Sequence, residues 1–152
     1  MWPQSGPSLS WFSGESPEMN AAIAEAQATF PHFAAVVAGQ DGQPEPEVAL
    51  VKYGFKATRP GAVVEHVFLG EVVARDGALW GVVNADPVYT DEVAEGDLVR
   101  IEPERVSDWL YVVDDTGTGG FTFRLMWQNF SPSERELYRD QPPFVWLVDR
   151  FS

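Results

Sequence analysis

The chain has 152 residues, 45% hydrophobic and 13% aromatic, which is enough for one domain with a substantial core and too few for two. It contains no cysteine, so disulfides, thiolate metal sites and cysteine nucleophiles are excluded. A formal net charge of -13 and a pI near 4.3 argue against binding to nucleic acid or to an anionic membrane, because both rely on clustered Lys and Arg. The natural counterpart is a basic protein partner, although the same acidity also serves solubility.

The opening MWPQSGPSLSWF lacks the basic start and apolar stretch of a secretory signal, and no run of about 18 residues is free of charge and proline. The expectation is a cytoplasmic protein without a membrane segment. Residues 1–17 read as an irregular arm, with Trp2, Trp11 and Phe12 as docking anchors. A helix follows, capped by Ser16 with Pro17 in its first turn, and Met19, Ala22, Ile23, Ala26 and Phe30 form its buried stripe. Pro31 is expected to end or kink it. HFAAVVAG fits either a helix tail or a short strand, and QDGQPEPE reads as a linker.

From Glu47 onward the texture is β: EVALVKYGFK, a TRPG turn, then AVVEHVFLGEVVAR, each rich in β-branched and aromatic residues. Asp76-Gly77 supplies the positive backbone angles of a two-residue turn, pairing Val67–Val73 with Leu79–Val83. NADPVYTDEVAEGD is a longer connection leading to LVRIEP. In RVSDWLYVVDDTGTGGFTFRLMW, the Asp, Thr and Gly run predicts a loop between two strands. Ser131, Pro132 and Glu134 mark a short amphipathic helix with a capping box. FVWLV predicts an edge strand or a segment lying across the sheet.

Asp108 and Arg124 interrupt the two runs of that second hairpin. If residues of like parity pair, the two share a face and can form an ion pair, an internal clamp that spares a buried carboxylate the cost of standing alone. Glu65 and His66 are strand neighbours and face opposite sides; Glu65 shares its face with Val67 and Leu69 and, if inward, needs Arg124 or a backbone amide as donor.

These pieces resemble the YegJ-like bacterial family of domain of unknown function 2314. The resemblance rests on the Met19 to Phe30 helix, Glu65-His66, Gly81 and Asn84 before Asp86-Pro87, Gly96-Asp97, Ser107-Asp108-Trp109 with Tyr111, and Gly120-Phe121-Thr122 with Arg124. It covers residues 18–126, with 127–152 a C-terminal helix and tail packed on the same domain. It implies a small α+β domain and a characteristic polar set, Glu65, His66, Asn84, Asp86, Ser107, Asp108, Trp109 and Arg124, and brings no established activity. The fold expected is an N-terminal helix on a strongly bent antiparallel sheet of five or six strands, a small partly open barrel, with a short C-terminal helix.

A hydrolase can be drawn with Ser107 as nucleophile, His66 as base and Asp108 or Asp86 as orienter. No Gly-x-Ser-x-Gly turn supports it, and adjacent Ser107 and Asp108 should point apart. No cofactor is implied: His32 and His66 are the only histidines, without the spacing of a zinc pair, and no loop has the alternating oxygen ligands of a calcium site. DDTGTGG lacks the Gly-Lys-Ser/Thr of a phosphate loop. The function expected is a non-enzymatic acidic interaction module of the inhibitor or immunity type. The alternative is a small-molecule or hydrolytic pocket floored by Glu65, His66, Asp108 and Arg124.

Overall fold

The computed structural model describes residues 16–40, 42 and 44–151; the arm anticipated over residues 1–17, with Trp2, Trp11 and Phe12, lies outside them except for Ser16 and Pro17. Helix α1 spans Pro17–Val37. Ser16 Oγ accepts from Met19 N at 2.9 Å, and the helix buries Met19, Ala26, Phe30, Phe33 and Val36. Pro31 neither ends it nor marks its boundary. A proline in a helix interior costs about 3 kcal/mol, but Phe33 and Val36 beyond it are buried, and Phe33 packs on Trp109 with ring centroids 5.5 Å apart. HFAAVVAG is therefore mainly helix tail.

Six strands follow: β1 Val48–Lys56, β2 Val64–Arg75, β3 Ala78–Val83, β4 Leu98–Arg100, β5 Val106–Val113 and β6 Thr116–Gly119. They form one antiparallel sheet in the order β4-β3-β2-β1-β5-β6. The sheet stays open, with β4 and β6 as its edges, rather than closing into a barrel. The first hairpin turns at Asp76-Gly77 (φ 54° and 76°), as the sequence predicts.

The second hairpin differs from its prediction. Its turn is only Asp114-Asp115, both at positive φ (51° and 60°), and TGTG, expected as loop, is β6. Glycine is a poor strand former, yet here it is required: a Cβ on Gly117 would lie 2.7 Å from Leu147 Cδ2, and one on Gly119 would lie 2.2 Å from Trp109 O. Gly119 and Gly120, at φ 98° and 75°, then turn the chain out of the sheet.

FTFRLMW is consequently helical rather than a strand: α2 spans Phe121–Asn129. Phe123, Met126 and Trp127, at three-four spacing, are buried. Helix α3, Pro132–Tyr138, carries the predicted capping box of Ser131 and Glu134, and FVWLV, expected as strand, begins helix α4, Phe144–Leu147. Helix α1 covers one sheet face, where Val51, Tyr53, Phe55, Val67, Leu69 and Trp109 gather. Helices α2 and α4 cover part of the other, packing Phe123, Met126, Trp127, Phe144 and Leu147 on Leu50, Phe68, Leu110 and Val112. The C-terminal segment thus completes a second core. Among the described residues no helix is long and apolar enough to cross a membrane.

Candidate functional site

The polar residues anticipated from sequence divide between the two faces of the sheet. On the α1 face, Glu65 is buried and accepts three backbone hydrogen bonds: Val88 N at 2.7 Å, Tyr89 N at 2.7 Å and Thr90 N at 2.9 Å. A carboxylate receiving that many amide protons needs no cation. Of the two donors expected for it, the backbone amide is the one found and Arg124 is not. The contact pins the long connection between β3 and β4 against the sheet. Asn84 and exposed Asp86 lie at the start of that connection.

On the opposite face Lys52, His66, Ser107, Asp108 and Thr122 form a buried or half-buried polar layer. A bulge in β5 assembles it: Lys52 is opposite Asp108, yet Tyr53 is opposite Val106, so Ser107 is the extra residue. A bulge turns two successive side chains toward one face, and Ser107 and Asp108 therefore do not point apart as regular alternation requires.

Asp108 does not pair with Arg124. Arg124 is exposed on α2, because FTFRLMW folds as a helix and the parity argument for two strands no longer applies. Instead Asp108 acts as a cap on α2 from a distant strand. Its Oδ1 accepts from Trp109 N at 2.8 Å and Phe121 N at 3.0 Å. Its Oδ2 accepts from Thr122 N at 2.8 Å and Thr122 Oγ1 at 2.5 Å. The first amides of a helix have no partner within it, and the N-terminal end of its dipole favours an anion. Gly120, the residue at the cap position, has no side chain with which to do this.

Lys52, which the sequence reading passed over, is 3% exposed. Its Nζ donates to Thr122 Oγ1 at 3.3 Å and lies 5.6 Å from the centre of the Phe123 ring. Thr122 Oγ1 thus accepts a hydrogen bond from Lys52 and donates one to Asp108, joining the two charges without direct contact. Burial pulls the Lys52 ammonium down to about 8 against the opposing attraction of Asp108. Burial pushes the Asp108 carboxyl up, while the Thr122 hydroxyl, Lys52 and the amides of Thr122 and Trp109 hold it down. Four donors on one carboxylate leave no place for a proton, and we assign it as ionised.

His66 Nδ1 lies 2.9 Å from Ser107 Oγ, a contact that joins two members of the hydrolase drawing. Ser107 Oγ also donates to Lys52 O at 3.2 Å. In the tautomer that keeps this second bond, Ser107 accepts from His66 Nδ1–H, the opposite of the transfer a general base performs. Burial, reinforced by Lys52, holds the imidazole down to about 3, so it is neutral. Asp108 is engaged with α2 and Asp86 is exposed; neither has a hydrogen bond to His66. His66 and Ser107 line an open cleft of about 490 Å³, together with Gln27, Lys56, Glu92 and Arg105, while Arg124 lines a different one. The single pocket floored by Glu65, His66, Asp108 and Arg124 is therefore not formed. Trp109 is a core residue whose Nε1 donates to Ala26 O at 3.0 Å. Among the described residues no group of three His, Asp or Glu is placed to hold a metal ion.

The signal for Lys52 was available in the sequence: a lysine between Val51 and Tyr53, in step with Leu50 inside a strand. Thr122 already stands in the Gly120-Phe121-Thr122 motif, and its role as the link between Lys52 and Asp108 follows only from the helix it opens.

Two curated relatives are similar to part of the chain. The Neisseria meningitidis serogroup B protein named "Putative ankyrin repeat protein NMB1133/NMB1171" is 28% identical over 90 residues, 59% of this chain and 36% of that protein. The Escherichia coli K12 protein named "Uncharacterized protein YegJ" is 31% identical over 75 residues, 49% of each. The chain thus spans half or less of the length of the curated relatives it matches. No solved structure matches. The model of the family described as "Uncharacterized protein conserved in bacteria (DUF2314)" matches residues 16–144, beyond the 18–126 span of the motifs, and the chain belongs to that family.

Proposed function

We propose that the chain is a non-enzymatic interaction module whose acidic surface docks a basic protein partner, as an inhibitor or immunity-type protein would. The observation that carries this reading is the division of labour among its carboxylates. Of those described, only Glu65 and Asp108 are buried, and both are occupied by backbone amides. Nearly all the others face solvent. Asp86, Asp91, Glu92, Glu95 and Asp97 are exposed on the connection that Glu65 fixes in place. Val88 on the same connection is 53% exposed, and Val63, two residues before Glu65, is 84% exposed. Pre-ordered acidic groups beside apolar side chains suit a cationic protein surface, since complementary fields speed association and the apolar contacts slow release.

The His66–Ser107 contact favours a second reading, a small-molecule or hydrolytic site in the adjoining cleft. Against it stand the 3% exposure of Ser107, the second contact of its hydroxyl with Lys52 O and the lack of an orienting carboxylate on His66.

The test is affinity capture from the native host, followed by titration of the isolated partner. A basic protein should be recovered whose affinity falls at least about tenfold between 50 and 300 mM salt, as interactions between exposed charges are screened. Asp86→Lys with Glu95→Lys should abolish capture without unfolding the protein, because both residues are exposed. Binding that ignores salt, or survives both charge reversals, would overturn the proposal.

A further inference from the structure

We infer that the cleft between the C-terminal end of the chain and the β6–α2 junction is a binding site for a small oxyanion, a carboxylate or phosphate borne on a flat apolar group. Arg124, from the second turn of α2, and Arg150, from the short 3-10 turn Val148–Arg150, line this one cleft of about 320 Å³. Both are exposed, and neither pairs with a carboxylate: the ion pairs among the described residues are Arg59–Asp91 and Arg105–Glu102. Glu25 of α1 also lines the cleft and offsets one of the two charges, leaving an excess of one guanidinium. In a chain with 23 acidic and 10 basic residues, two guanidiniums sharing one cavity with a single carboxylate, and neither in an ion pair with it, are not what surface averaging gives.

The remaining surface defines the ligand further. Gly117, Gly119 and Gly120 contribute backbone to the cleft, the space a side chain would take at each being filled by Leu147, Trp146 or Trp109. Half-buried Phe121 and Phe151 also line it, giving apolar surfaces near the two cations. Guanidinium groups bind carboxylate and phosphate through paired N–H donors. The volume, at the low end for ligand pockets, favours a single aromatic acid over a dinucleotide. This site is separate from the acidic surface proposed for the protein partner and stands or falls independently of it.

The experiment is a heteronuclear NMR titration of the full chain with benzoate, phenyl phosphate, inorganic phosphate and the neutral isostere benzamide. Saturable shifts are expected at the Arg124 and Arg150 Nε–H groups and at the amides of residues 117–120, for benzoate or phenyl phosphate. The stronger of the two identifies the acid group, and inorganic phosphate alone should bind at least about tenfold more weakly. Arg124→Gln and Arg150→Gln should each weaken binding about tenfold while leaving the remaining spectrum in place. Benzamide binding as well as benzoate, unchanged affinity in the double variant, or shifts confined to other surfaces would overturn the site.

Discussion

Replacing Asp108 with asparagine tests whether a carboxylate inside a strand serves the helix that begins at Phe121. Asparagine keeps the size and one carbonyl oxygen, which can still accept from Trp109 N and Phe121 N. Its amide nitrogen must then face Thr122 N–H and the Thr122 hydroxyl, where Oδ2 now accepts bonds of 2.8 and 2.5 Å. A buried amide left without an acceptor costs about 1–3 kcal/mol, and removing one member of a buried charge pair costs about 3–5 kcal/mol because the other is stranded. The terms overlap, and we expect a loss of about 4 kcal/mol, a large part of a typical 5–15 kcal/mol. The assay is urea unfolding followed by tryptophan fluorescence, since Trp109 and Trp127 report the two cores. Two controls separate the causes. Lys52→Met in the Asp108→Asn background should recover at least about 1.5 kcal/mol, because the buried ammonium is no longer there to be stranded. Arg124→Ala should change stability by less than about 0.5 kcal/mol, its side chain being exposed and outside this network. A loss below about 1 kcal/mol for Asp108→Asn, or strict additivity with Lys52→Met, would refute the capping assignment; a large loss for Arg124→Ala would restore the ion pair expected from sequence.

Glu65→Gln should cost about 2–3 kcal/mol, since one of three amides loses its acceptor and the others lose an anionic one; hydrogen exchange at residues 88–90 should accelerate selectively, and unchanged protection there would remove Glu65 as the anchor. His66 contributes a pH dependence of fixed sign. Its imidazole is held at about 3 in the folded chain against 6.5 for an ordinary histidine, so the unfolded state takes up a proton first as pH falls below 6.5. Stability is therefore full above that pH and declines toward 3, by about 2 kcal/mol between pH 7.5 and 5. The slope over that range should disappear in His66→Phe, as read from urea midpoints, and a slope retained unchanged would place its origin elsewhere.

The elements legible in the sequence are those whose signals are local. Ser16 and Pro17 announce α1, Asp76-Gly77 the first hairpin, and Ser131 with Glu134 the start of α3, because each cap or turn is satisfied within four residues. FTFRLMW was not legible, because its pattern serves two periods: Phe121, Phe123, Leu125 and Trp127 alternate as in a strand, while Phe123, Met126 and Trp127 follow helical spacing. Local chemistry leaves the two nearly balanced. The decision is made by Gly119 and Gly120, whose positive φ breaks the extended chain, and by Asp108, which supplies acceptors to the amides that a helix start leaves open.

The same dependence on distant partners keeps the polar layer around Asp108 out of reach of sequence pattern. Pairing Arg124 with Asp108 supposes that a buried carboxylate seeks a cation, which holds when no other donor is near. In this fold two such carboxylates meet backbone amides instead: Glu65 collects three from the β3–β4 connection and Asp108 three from the Trp109 and α2 backbone. Both serve segments where regular structure leaves N–H groups open, a loop laid against a sheet and a helix opening on glycine. The bulge at Ser107, which register alone reveals, brings Asp108 within reach of Thr122 and Lys52. The fold thus spends its buried charges on its own backbone, and Arg124 is left at the surface, free to meet an anion from outside.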